Sequence, residues 1–218
     1  LDFPGIARQL AIALLPILIA ITFHEVAHGY VANRLGDGTA KALGRLTLNP
    51  LAHIDPVGTV LMPLLLLAFT NGQFVFGYAK PVPINPYNFR DAKKGMALSA
   101  AAGPLTNLLL AIASLLIIKL ILTPASAVLP KAVVLPLFLM LQSSIRINVI
   151  LAAFNLMPIP PLDGGRVVAG FLSYKAADTL NRIEPYGMII VIILIMTGLA
   201  RIFIVPLINL FLAILSVF

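Results

Sequence analysis

The stretch AIALLPILIAITFHEVAHGY, residues 11–30, decides the fold. Its first thirteen residues carry no charge, and the apolar run around it extends from about Ile6 to Leu35. A helix needs roughly 20 such residues to cross a bilayer. His24, Glu25 and His28 then fall toward one end of a membrane helix, where ionisable side chains are costly to keep and point to function.

The rest of the chain agrees with a lipid solvent. Of 218 residues, 60% are hydrophobic and 11% charged, with a mean hydropathy of +1.03. A soluble domain runs near a quarter charged, and so few charges cannot cover the surface of a water-soluble globule this size. Soluble enzymes, nucleic-acid binders and disordered chains are excluded. The net charge of +7 therefore reads as the Lys/Arg excess of cytoplasmic loops. The chain has no Cys, which excludes disulfides and thiolate metal sites.

Further apolar stretches run over about 96–122, 132–157 and 186–218. The 132–157 stretch stops at Pro158, Pro160 and Pro161, which cannot extend a helix. The last is interrupted by Gly198, Arg201 and Pro206 and reads as two short helices in a tight hairpin. Val57–Phe69 spans only 13 residues before Thr70-Asn71-Gly72. If it crossed, Lys80, Arg90, Lys93 and Lys94 would lie outside, against the positive-inside tendency. A re-entrant element keeps them with Arg34, Lys41, Arg45, Arg166, Lys175 and Arg182 on the cytoplasmic side. The expectation is an all-α membrane protein, a polytopic helical bundle of five to six transmembrane segments with a re-entrant element and an extended loop. It forms one domain over 1–218, with a core of about 6–170 and a C-terminal helical hairpin of about 186–218.

Within that bundle, two imidazoles four residues apart share a helix face about 6 Å apart along the axis. Both can reach one metal ion, and Glu25 lies where its carboxylate can meet a bound water. This is the H-E-x-x-H arrangement of zinc hydrolases. The competing reading is two satisfied polar residues in a helix interface. It is weakened by the scarcity of such residues: three His in the whole chain. Two His leave a zinc site short of a ligand. Asp163, at the cytoplasmic end of the fourth apolar helix, is the candidate third, and a turn role before Gly164-Gly165 is compatible with it.

HEVAH at 24–28, AAGPLTN at 101–107 and NLMPIPPLDGG at 155–165 together resemble the site-2 protease family of intramembrane zinc metalloproteases. NPLAHIDPVGT at 49–59 and GYAKPVPINP at 77–86 resemble its compact prokaryotic branch, and no PDZ or CBS domain accompanies them here. The resemblance implies one zinc ion held by His24, His28 and Asp163, with Glu25 as general base. It also implies transmembrane protein substrates cut within the lipid bilayer in regulated intramembrane proteolysis, at a prokaryotic cell membrane. For the oxyanion donor, Asn155 is the first candidate and Asn107 the second; Asn in membrane helices also serves as interhelical glue.

Prolines at 81, 83 and 86 force an extended backbone. The stretch is either a surface loop or an edge that pairs with unwound substrate, Val82, Ile84 and Asn85 then carrying the backbone bonds. His53 and Asp55 fit a structural turn better than a second metal site. The alternative function is a non-proteolytic zinc carrier or an inactive, protease-like binding protein. A carrier needs ligands along a path, and only one compact cluster is present.

Overall fold

Helix α1 (Phe3–Arg34) carries the opening stretch and continues through Pro16. Its 32 residues extend about 48 Å at 1.5 Å per residue, more than the roughly 30 Å of a bilayer's hydrocarbon core. The computed structural model describes residues 3–69 and 77–218, and every regular element among them is helical. After α1 come the single turn α2 (Thr39–Ala42) and α3 (Met62–Phe69). Next are α4 (Ala92–Ile117), the turn α5 (Thr123–Ala125) and α6 (Lys131–Asn155). The chain closes with α7 (Asp163–Phe171), α8 (Tyr174–Asn181), α9 (Glu184–Met196) and α10 (Arg201–Leu215).

Three of these helical stretches, 8–34, 92–125 and 131–155, are long and apolar enough to cross a membrane. A fourth crossing arises if α8 and α9, bent by 67° at their junction, act as one span. Pro56–Leu66 and α10 are shorter apolar helices. The expected apolar segments thus divide into full-length helices and shorter pieces.

Helix α4 packs against both α1 and α6. Its buried face is built from small residues, including Ser99, Ala100, Gly103 and Ala111, and meets Ala152 and Ala153 of α6. Small side chains let membrane helices approach closely, where no aqueous hydrophobic effect drives them together. Phe211 and Leu215 seat α10 on the same cluster. The large aliphatic residues Leu105, Leu109 and Leu120 face outward, as a lipid-facing surface requires.

The excursion after residue 55 closes on itself. Asp55 caps its first turn, Oδ1 accepting from the amides of Val57 and Gly58 at 3.0 and 2.7 Å. At its far end the Tyr78 amide donates to the Gly58 carbonyl at 3.0 Å, and Thr59 Oγ1 donates to the Tyr78 carbonyl at 2.8 Å. A single crossing would separate those partners by about 30 Å. The segment therefore leaves and returns on one side, as its short length implies; the Thr70-Asn71-Gly72 break lies outside the described residues.

From there the proline-punctuated stretch crosses the site as an extended strap. The Lys80 amide donates to the His53 carbonyl, and the Asn85 amide to Asp37 Oδ2 at 2.7 Å. Asp37 is fully buried and also accepts from Asn88 Nδ2 and from Thr39. Burial pushes its carboxyl up, but the bonds from Thr39, Asn88 and Asn85 outweigh this and hold it below the usual carboxylate range.

The stretch that carries Arg166 and Lys175, which sequence places only on the cytoplasmic side, forms α7 and α8. The signal is a face of small residues, Gly165 and Ala169, which are buried four positions apart and hydropathy alone does not reveal.

Candidate metal centre

Helix geometry brings the two imidazoles together. His24 and His28 sit one turn apart on α1, both buried, with Nε2 atoms 3.0 Å apart. Asp163, the first residue of α7, places Oδ2 3.2 Å from His24 Nε2 and 3.3 Å from His28 Nε2. Among the described residues this is the one cluster of three potential ligands whose atoms all lie within 4.8 Å of one another.

The protons on the rings can be located by elimination. His28 Nδ1 lies 2.7 Å from the Ser99 carbonyl, which can only accept, so Nδ1 carries the hydrogen. His24 Nδ1 lies 2.6 Å from Asn107 Oδ1. That amide is oriented by its nitrogen, which donates to the Ala20 carbonyl at 3.2 Å. His24 Nδ1 must therefore donate as well. With the rings neutral, the unprotonated Nε2 lone pairs face each other and Asp163 Oδ2, a buried oxygen with no hydrogen-bond partner. Such a triangle repels itself unless a metal ion or a shared proton sits among the three atoms. A tetrahedral ion with ligand bonds near 2.0–2.1 Å has its ligand atoms about 3.3 Å apart; the two edges to Asp163 are 3.2 and 3.3 Å and the edge between the imidazoles is shorter, 3.0 Å. The donor set fits zinc.

Close helix approach makes the cluster possible. A Cβ on Gly103 of α4 would stand 2.5 Å from His28 Nε2 and 2.6 Å from His24 Cε1, so only glycine fits against the rings. On the other side, Gly164 lies against the backbone of Leu156 and Met157, and Gly165 against Pro160, where a Cβ would come within 2.4 Å of main-chain atoms. The turn between α6 and α7 thereby holds Asp163 in place.

Glu25 lies beside the cluster, its Oε2 accepting from the Val82 amide of the strap at 2.9 Å. Val82 and Asn85, expected to offer their amides to a substrate, direct them inward to Glu25 and Asp37 instead. With Ile84, Val82 lines a cavity of about 640 Å³ whose far wall includes Met96, Arg166, Ala169 and Glu184. Asn107 touches His24 directly. The Asn155 amide donates back to the Leu151 carbonyl of its own helix. His53 is buried with Nε2 against the Thr47 carbonyl, and Asp55 caps a helix, so both are turn residues. Arg146 is exposed on α6 and takes no part in the cluster. Sequence reasoning missed Asp37 as the strap's anchor and Asn148, a second buried Asn joined to Asn107.

Residues 124–198 match the model of Peptidase family M50. The chain is 35% identical over 196 residues to the Bacillus subtilis (strain 168) protein named "Putative zinc metalloprotease YwhC", covering 90% of this chain and 85% of that one. It is 28% identical over 180 residues to the Mycolicibacterium smegmatis protein named "Putative zinc metalloprotease Rip2", covering 83% of this chain and 64% of that protein. The protein of the same name from Mycobacterium tuberculosis (strain H37Rv) is also 28% identical, and the matched region spans 63% of its length. No solved structure gives a significant match.

Proposed function

The chain belongs to Peptidase family M50, the site-2 proteases, and from that premise we propose that it is an intramembrane zinc endopeptidase cutting the transmembrane segments of other membrane proteins. The observation that carries the reading is the buried triangle of His24 Nε2, His28 Nε2 and Asp163 Oδ2 beside a further carboxylate, Glu25, held by the Val82 amide. His24, His28 and Asp163 would hold the ion, one per chain. When bound, zinc polarises the scissile carbonyl and makes water a nucleophile near neutral pH.

The remaining work belongs to the chain. Glu25 takes the proton of the attacking water on its carboxylate and returns it to the leaving amine. The Val82 amide holds Oε2 in place. Asn107 spends its amide on His24, Ala20 and Asn148. That leaves Asn155, which is bonded only within its own helix turn, as the carboxamide able to turn toward a developing oxyanion. The strap and the cavity behind Val82 and Ile84 receive substrate that has unwound, since a helical peptide bond is shielded by its own hydrogen bonds. Residues 1–218 act as one domain, with a core of about 6–170 and the hairpin of about 186–218 packed on it.

The test is purified protein in liposomes with a single-span membrane substrate. Cleavage within the span should stop when a chelator removes zinc and return when zinc is restored. Asp163→Ala should lower zinc occupancy and activity together. An inactive Asp163→Ala variant that holds zinc as tightly as before would reduce Asp163 to a turn residue. Protein that moves zinc into vesicles but cleaves nothing would establish the carrier instead.

The site faces the cytoplasm in this reading. Single cysteines at 41, 94 and 175 of this Cys-free chain should label from the cytoplasmic side, and one at 131 from outside. Labelling of position 94 from outside would reverse the assignment.

A further inference from the structure

A line of polar side chains, fully buried at Asn107 and Asn148, leads from the metal cluster along the α4–α6 interface. Asn107 Nδ2 lies 2.8 Å from Asn148 Oδ1, and Asn148 Nδ2 lies 2.8 Å from the Ser144 carbonyl and 3.2 Å from Ser144 Oγ. Ser144 Oγ lies 2.8 Å from Ser114 Oγ, which is 2.8 Å from the Leu110 carbonyl. Asn107 and Asn148 are both fully buried, on α4 and α6 respectively.

Carbonyl groups can only accept, and three of them orient the whole line. The Ala20 carbonyl faces the nitrogen of Asn107, which turns the Asn107 oxygen to His24. The Ser144 carbonyl faces the nitrogen of Asn148, which turns the Asn148 oxygen to Asn107. The Leu110 carbonyl takes the one hydroxyl proton of Ser114, so Ser144 must donate to Ser114 and is free to accept from Asn148. Every bond then runs in one direction, from His24 Nδ1 outward to the backbone of α4. Interhelical glue alone needs no common direction.

We propose that Asn148 is a positioning residue for His24: acting through Asn107, it fixes the Nδ1–H tautomer that leaves Nε2 unprotonated toward His28 and Asp163. The proposal rests on the reading of His24 as a zinc ligand. Without an acceptor at 148, one Asn107 hydrogen is buried with no partner. The 3.2 Å bond to Ala20 is then the one remaining bond of the amide nitrogen. Some molecules will turn the amide over, place its nitrogen against His24 Nδ1, and drive the ring proton to Nε2, where it blocks the metal. Groups that orient a ligating His in this way typically change metal affinity by about 10–100-fold when removed.

The experiment is nitrogen-15 histidine spectroscopy of the metal-stripped full chain with its imidazoles neutral, paired with zinc titration. Three histidines make assignment straightforward. The unmodified protein should show His24 as the Nδ1–H tautomer. Asn148→Leu should show a growing Nε2–H population at His24 and bind zinc about 10-fold more weakly. Asn148→Asp keeps an acceptor toward Asn107 and should stay near the unmodified protein in both. A folded Asn148→Leu protein with unchanged tautomer and unchanged zinc affinity would overturn the proposal. So would the Nε2–H tautomer at His24 in the unmodified chain, a result that needs no variant to fold. If the unmodified protein binds no zinc at all, the metal reading fails while the tautomer measurement still decides the role of Asn148.

Discussion

Glu25→Gln should reduce cleavage by about 10²–10⁴-fold, the usual contribution of a positioned general base, while zinc stoichiometry stays that of the unmodified protein. The substitution is unusually clean here. A glutamine keeps the length of the side chain, and its carbonyl oxygen can still accept from the Val82 amide that bonds Oε2. The strap should therefore stay in place, and only the ability to take a proton disappears. The comparison needs two readouts, product formation from a reconstituted membrane substrate and zinc content per chain. Cleavage at a comparable rate would show that Glu25 is not the base.

Gly103→Ala should have the largest effect on zinc affinity of any change outside the ligands themselves. The added carbon would stand 2.5 Å from His28 and 2.6 Å from His24. Carbon–carbon contacts are comfortable only near 3.5–4.0 Å. Neither ring can retreat freely, because His28 is tied to the Ser99 carbonyl and His24 to Asn107. The conflict must be relieved by moving α4 away from α1 or by turning the rings off the ion. Zinc affinity should fall by about 100-fold, the upper end for changes next to metal ligands, with membrane insertion retained. Zinc retained against a graded chelator series measures it, and Cys labelling at 94 and 131 checks insertion. Affinity within a few-fold of the unmodified protein would mean that the helices separate at little cost.

Much of this was legible in the sequence because it depends on local rules. Apolar run length and proline positions set the long helices, and a spacing of four set the two imidazoles on one face. Asp163 was within reach because few acidic residues remain to complete a ligand set. What sequence could not show was how the helices are rotated against each other. Asn107 was weighed for the oxyanion, yet its amide meets His24, because the direction of a side chain between packed helices follows from the neighbours' shapes. Asn148 is an unremarkable polar residue until α6 is laid on α4. The strap was read correctly as extended, but the inward direction of the Val82 and Asn85 amides depends on Glu25 and Asp37, which lie 57 and 48 positions away.

The closure of the excursion at Gly58 and Tyr78 makes this part of the molecule modular. Both ends are tied at one point by the Tyr78 amide and by Thr59. Whatever chain lies between them starts and finishes in the same place, so lengthening or shortening it leaves the orientation of every later helix unchanged. A crossing segment has no such freedom, since adding or losing one inverts all that follows. An insert can therefore vary here in size without rebuilding the helical bundle, and an engineer can graft a reporter or a recognition peptide at this point. The parity of the membrane topology is insulated from the length of the insert.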